Sequence, residues 1–403
     1  MMEARGATEP LSGRRGPAPA WVLGLLPLVL VVLAAVLFVA AGAPGLGERG
    51  GPPVEELAVE RTVLRPGVIE LTVRNDGPDS VTVAQVIVND AFATFRGGEK
   101  SIGRLASERL EIQQPWLEGE AYEVALLTST GGTITHEIPV AVESPEADGG
   151  FFGLMALLGV YVGIIPVALG MLWLPWIRRI SARWLQAIMA VTVGLLAFLA
   201  LDAVLEGFEF ARQGSQALGG AALVLVGAAV SYLVLTGVNA WLADRREGGE
   251  EAGGGGARLA LLVAVGIGLH NLGEGVAIGA AYAVGALALG AFLVVGFALH
   301  NTTEGLAIVA PTARRPPPVR RLIGLGVLAG APVILGAWIG AAALNPAVAA
   351  LLFGIGAGAI VQVVVQLAPS LRDAAGRLLH PASVAGVLGG MVLLYVTGLL
   401  VSV

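Results

Sequence analysis

Nine apolar runs, each long enough to cross a bilayer, constrain this chain more than any other feature: roughly 21–42, 152–177, 184–205, 218–243, 259–283, 286–310, 322–344, 346–368 and 383–403. A helix needs about 20 apolar residues to span a ~30 Å hydrocarbon core, so the runs predict an integral membrane protein built of helices. Composition agrees: 56% of the 403 residues are hydrophobic, 13% are charged, and mean hydropathy is +0.80. Soluble domains carry about a quarter charged residues, which excludes a soluble enzyme, a disordered tail and a nucleic-acid binder. The 58 glycines follow no collagen-like period and suit closely packed transmembrane helices. With no cysteine, disulfides, zinc fingers, iron–sulfur clusters and blue-copper sites are excluded.

Basic residues set the expected orientation, because Lys and Arg are retained on the cytoplasmic side of short loops. With residues 1–20 as a cytoplasmic tail, the inner segments collect Arg5, Arg14 and Arg15, then Arg178, Arg179 and Arg183, then Arg245, Arg246 and Arg258. Arg314, Arg315, Arg320, Arg321, Arg372 and Arg377 complete that set, and the short outer loops hold only Arg212. The formal net charge is −6, but this asymmetry says more, and it places the C-terminus outside. Ala41-Gly42-Ala43 resembles a signal-peptide cleavage site, yet the run before it is long and Pro44 follows the cut. Residues 21–42 therefore read as an uncleaved anchor helix.

Between the first two runs, residues 43–150 change character, with 18 acidic and 8 basic residues. Val68-Ile69-Glu70-Leu71-Thr72-Val73-Arg74 and Ser80-Val81-Thr82-Val83-Ala84-Gln85-Val86 alternate with period two, as half-buried strands do. Turns are expected at Asn75-Asp76-Gly77-Pro78 and Gly131-Gly132. The segment reads as a small exported β-sandwich, with His136 an ordinary surface side chain. Residues 244–258, with Glu247, Glu250, Glu251 and the run Gly253 to Gly256, read as a flexible cytoplasmic linker. The expected fold is thus an all-α polytopic membrane bundle of eight helices (151–403), preceded by one anchor helix and a small all-β sandwich domain.

Charges inside hydrocarbon cost at least ~2.5 kcal/mol each, and few are present. Well inside the runs after residue 152 lie Asp202, Glu206, His270, Glu274, His300 and Glu304. Four of them form a repeat, His270-Asn271-Leu272-Gly273-Glu274-Gly275 and His300-Asn301-Thr302-Thr303-Glu304-Gly305. His at i and Glu at i+4 share a helical face. Counting along the two runs puts both motifs near mid-membrane, on antiparallel helices joined by a tight loop around 284–285. Two imidazoles and two carboxylates at one level are ligands for a divalent transition metal. The alternative is a polar glue between helices, which does not require the same motif twice at matched depth. A zincin-like protease would need His-Glu-x-x-His, which does not occur. The sequon Asn301-Thr302-Thr303 lies within a span and is disregarded. Asp202 and Glu206 share a face near the outer end of their helix, with Glu209 just beyond, and read either as solvated interfacial acids or as an outer entrance for cations.

Paired His-Asn-x-x-Glu-Gly motifs on consecutive helices, after three helices and a linker and before three more, resemble the ZIP family of divalent metal transporters over about 152–403. The resemblance implies a carrier, not an enzyme, with the transport site on His270, Glu274, His300 and Glu304, and Asn271 and Asn301 able to offer amide oxygens. It does not cover the anchor or the exported domain. Gly273 and Thr303 stand where the family usually has Pro, Gly330-Ala331-Pro332 lacks a Glu that helps many bacterial members form a second metal site, and Gln362 and Gln366 replace acidic or His residues. The histidine-rich loop of many members is absent. One retained site is therefore expected beside a degraded neighbour.

The substrate expected is a divalent transition-metal ion, zinc as first choice and iron second, moved into the cytoplasm across the plasma or inner membrane. No cofactor is expected beyond the transported Zn²⁺ or Fe²⁺. The expected partners are that ion and the lipid bilayer, with a homodimer left open; nothing in residues 43–150 names a partner for the exported domain. The competing functions are an intramembrane metal-dependent hydrolase and a non-transporting metal sensor.

Overall fold

The computed structural model describes residues 29–38, 41, 53–244, 255–283, 287–342, 345–373, 375–378 and 380–401. The chain divides into two compact units, 1–53 and 54–403. Of the first, the structure describes helix α1 (Val29–Phe38) and Ala41; the rest of the expected anchor and its cleavage-like site lie outside the described residues, as does most of the linker.

Seven strands open the second unit: β1 (Leu57–Arg65), β2 (Val68–Asn75), β3 (Val83–Val88), β4 (Ala91–Arg96), β5 (Ser107–Gln113), β6 (Tyr122–Thr128) and β7 (Thr133–Ile138). Alternation drives them, since Ile69, Leu71, Val73, Leu110, Ile112, Val124 and Leu126 are fully buried while the residues between them are not. Hairpins form where the backbone can turn: Pro66-Gly67, with Gly67 at φ +76°, and Asn89-Asp90, both at positive φ. The expected turn at Gly131-Gly132 links β6 to β7.

The sandwich expectation requires correction. The strands make one antiparallel sheet in the order β1-β2-β5-β4-β3-β6-β7, because β4 pairs with both β3 and β5 and joins the two halves. The sheet is nearly closed, like a barrel. At its seam Thr62 Oγ1 on β1 lies 2.9 Å from His136 Nε2 on β7, and Ser144 N donates to Leu64 O at 2.9 Å. His136 is therefore half-buried in a seam rather than an ordinary surface residue.

Among the described residues, seven helical segments are long and apolar enough to cross a membrane: α2 (Gly149–Ile177), α3 (Ala182–Gln213), α4 (Gln216–Trp241), α5 (Gly256–Ala283), α6 (Leu289–Thr312), α7 (Val319–Ala342) and α8 (Pro346–Leu371). A further helix, α9 (Pro381–Val401), follows, of which Pro381–Val396 counts as a shorter apolar stretch. The chain is accordingly a multi-pass membrane protein with a separate sheet domain.

In α5, 78% of the most apolar stretch is buried, against 22% in α4, so α5 is central and α4 peripheral. Glycine sets how closely α5 and α7 approach. A side chain at Gly275 or Gly279 would strike the Val333 or Ala337 carbonyl, and one at Gly336 or Gly340 would strike Leu272 or Val276. Two small-x-x-x-small faces thus bring the backbones into contact. Near the motifs, α2 carries a π-turn at Val160–Ile164 and α7 breaks at Gly330-Ala331-Pro332, where Pro332 offers no N–H.

The sheet domain is bonded to the loops at one end of the bundle. The Asp76 carboxylate accepts from the Ser215 hydroxyl and, at 2.7 Å, from Gln216 N. Asn345 Nδ2 donates to Glu60 at 3.1 Å, and Arg61 reaches Ala342 O at 3.4 Å. These loops define a sheet-side end; Arg178, Arg179, Arg314 and Arg315 lie in loops at the opposite, arginine-rich end.

Candidate metal centre

The helix supplying the first motif spans Gly255–Ala283 in full, and the one supplying the second spans Leu287–Val309. His270 lies thirteen residues from Ala283, and His300 lies thirteen from Leu287. At 1.5 Å per residue each imidazole sits about 20 Å from the sheet-side end, so the antiparallel pair brings the motifs to one level.

Among the described residues, His270, Glu274 and His300 offer donor atoms within 4.8 Å of one another. His270 Nε2 is 3.3 Å from Glu274 Oε1, and His300 Nε2 contacts the same oxygen. The two imidazole rings are 6.5 Å apart, centre to centre. His270 and Glu274 are buried, His300 is 12% exposed, and His270 Nδ1 has no hydrogen-bond partner while its Nε2 meets only Glu274. Two imidazoles around one carboxylate oxygen make a nitrogen-and-oxygen donor set suited to a borderline divalent cation.

The asparagines brace the carboxylates crosswise. Asn301 Nδ2 donates to Glu274 Oε2 and to Val162 O, each at 3.0 Å. Asn271 Nδ2 donates to Glu304 Oε2 and to Ala329 O, each at 3.1 Å. Each motif therefore holds the other motif's Glu and a carbonyl of a flanking helix. Val162 belongs to the π-turn of α2, and Ala329 immediately precedes the break in α7. The motif glycines complete the arrangement, because Gly275 lies flush against α7 and Gly305 against the Val167 carbonyl of α2. The amide oxygens of Asn271 and Asn301 stay unpartnered.

Glu304 stands outside the three-residue cluster. Its link to the first motif runs through Asn271, and its Oε1 is buried without a partner. The Thr303 hydroxyl donates to His300 O at 2.6 Å. On α3, Asp202, Glu206, Glu209 and Gln213 share one face. Asp202 is exposed from the protein and interacts electrostatically with His300, His270 and Glu274, whereas Glu209 is engaged by Arg212 and Gln213. Asp202 is thus uncovered by protein and Glu206 half-buried. Gln362 is buried with its Oε1 unpartnered.

Sequence reasoning did not find the Val162 and Ala329 carbonyls or Thr192, a buried, unpartnered hydroxyl on α3. Pro332 signals the break near Ala329, and Pro166, which has no N–H to give the Val162 carbonyl, marks the π-turn. The chain matches no protein-family model, and no curated protein matches it.

Proposed function

We propose that this chain is a carrier for a divalent transition-metal ion, zinc first and iron second, of the kind the ZIP family represents. The observation that carries the reading is the joint placement of His270, Glu274 and His300, from two motifs at equal depth, with donor atoms within 4.8 Å of one another. Transport needs an ion bound at mid-membrane and a polar way in, and the Asp202–Glu206 stripe supplies the second. The proposed bundle has eight helices, with α1 in an anchor. The arginine-rich ends are cytoplasmic and the sheet domain is outside; its bonding to the arginine-poor loops 214–216 and 342–345 supports that arrangement. Asn271 and Asn301 offer free amide oxygens, so in this reading they hold the carboxylates and remain available to the ion.

A second reading draws on Glu304. A hydrolase needs a general base outside the ligand set, and Glu304 lies outside the cluster with one oxygen free. Proteoliposomes loaded with a zinc-sensitive dye separate the two. A carrier fills them with Zn²⁺ along its gradient, and an absence of uptake by the intact chain would remove the transport reading.

A further inference from the structure

Exposed arginines converge on one apolar cluster at the end of the bundle away from the sheet domain. Arg178, Arg179 and Arg183 lie at the α2–α3 junction, and Arg314, Arg315, Arg320 and Arg321 at the α6–α7 junction; all are exposed. The two junctions pack on each other, because Leu174 and Ile177 of the first share a buried cluster with Val309 and Ala313 of the second. Their charge is uncompensated. No acidic residue occurs in 149–201 or 305–372, and the arginine ion pairs among the described residues lie elsewhere, on the sheet domain, at Arg212 and at Arg377. The linker 244–258 carries Asp244, Glu247, Glu250 and Glu251 against three arginines, a net −1 that leaves most of the +7 of the two junctions standing.

Keeping loops on one side of a membrane needs arginines, but not their convergence. Trp173, Trp176 and Trp184 flank the first junction and are 49%, 58% and 65% exposed. On α7, Val319 and Ile323 stand exposed one turn apart beside Arg320 and Arg321. Exposed indoles at the ends of membrane helices sit at the headgroup level, and the apolar side chains beside them offer a surface to acyl chains. We propose that this face binds an anionic phospholipid, with its phosphate held by arginines of both junctions and its chains along the neighbouring apolar side chains. Guanidinium suits the task, since it donates in pairs to phosphate oxygens. The occupant ties α2 to α6, two helices already joined by the bond from Asn301 to the Val162 carbonyl. None of these arginines belongs to the His270–Glu274–His300 cluster, so the site stands whether or not the bundle carries metal.

Quenching of tryptophan fluorescence by brominated lipid in the reconstituted full chain tests this, with phosphatidylglycerol and phosphatidylcholine of the same chains as probes. The parent should bind brominated phosphatidylglycerol more tightly than brominated phosphatidylcholine. Arg178→Gln/Arg179→Gln and Arg314→Gln/Arg315→Gln should each weaken phosphatidylglycerol binding roughly tenfold or more and leave phosphatidylcholine binding unchanged. Arg178→Lys/Arg179→Lys should restore most of the preference. Arg245→Gln/Arg246→Gln removes the same charge from the linker and should keep the preference. No preference in the parent, or an equal loss in the linker variant, would reduce the face to general surface charge and overturn the site. Displacement of the lipid by inorganic phosphate would overturn it as well, since the occupant would then be a free anion.

Discussion

At the scale of single residues, the repeated His-Asn-x-x-Glu-Gly is legible as a metal motif because His and Glu at i and i+4 must share a face. Spacing alone does not reveal what each side chain touches. Glu274 and Glu304 occupy equivalent motif positions, yet one joins both imidazoles and the other is held by Asn271 with its second oxygen unpartnered. That difference arises from packing against different neighbours, of which the motif itself carries no sign. The crossed amide bonds predict that Asn301→Leu leaves Glu274 Oε2 unpaired at a cost of about 1–3 kcal/mol, measurable as lowered thermal stability in detergent together with weakened Zn²⁺ binding. His136 gives a pH prediction. Burial lowers its pKa from the ordinary 6.5, with Glu137 acting in the opposite direction. The folded chain therefore favours the neutral ring, so the stability tied to it is complete above that value and is lost as pH falls through the lower folded-state pKa. Melting of the full chain should drop more steeply from pH 7.5 to 5 in the parent than in His136→Gln; parallel curves would refute the assignment.

At the scale of elements, run length and hydropathy locate the seven long membrane helices to within about three residues, since burial in lipid leaves little choice of structure, except that α3 runs on to Gln213, past the apolar run that ends near 205. The interruptions are less legible. Pro332 marks one and Pro166, just past the π-turn at Val160–Ile164, marks the other, but nothing local shows that the Val162 carbonyl it leaves free is taken up by Asn301. Glycine abundance points to close packing in general, and the structure shows where it acts. Leu at Gly336 would meet the Leu272 carbonyl, whereas Gly324 faces open space. Gly336→Leu should therefore destabilise the α5–α7 contact by at least ~1–3 kcal/mol and impair metal binding, while Gly324→Leu changes neither. Equal melting temperatures for the two variants would show that the α5–α7 seam does not set the site.

At the scale of the whole molecule, the division into a strand-rich segment and a helical bundle is legible from the change of hydrophobic period near residue 150. The closure of the sheet is not, because alternation identifies buried faces and leaves open whether two half-sheets stack or join through β4. A cleft of about 1240 Å³ lies between the sheet domain and the sheet-side loops, lined in part by Glu60, His136, Glu137, Arg212 and Pro346. The proposed orientation predicts that Ser129→Cys, beside the β6–β7 turn, reacts with an impermeant thiol reagent outside intact cells and that Ser181→Cys, at the start of α3, does not. Both positions are exposed, and with no native cysteine the labelling has no background. The reverse pattern would invert the transport direction.

The claim on which the rest depends is that His270, Glu274 and His300 hold the ion together, and X-ray absorption at the zinc edge of the purified full chain measures this directly. With one equivalent bound, the account predicts a nearest shell at ~2.0–2.1 Å containing two imidazole nitrogens beside oxygen, with that imidazole signature lost in His270→Ala/His300→Ala. A shell of oxygen alone in the parent, or an unchanged imidazole signature in the double variant, would contradict it.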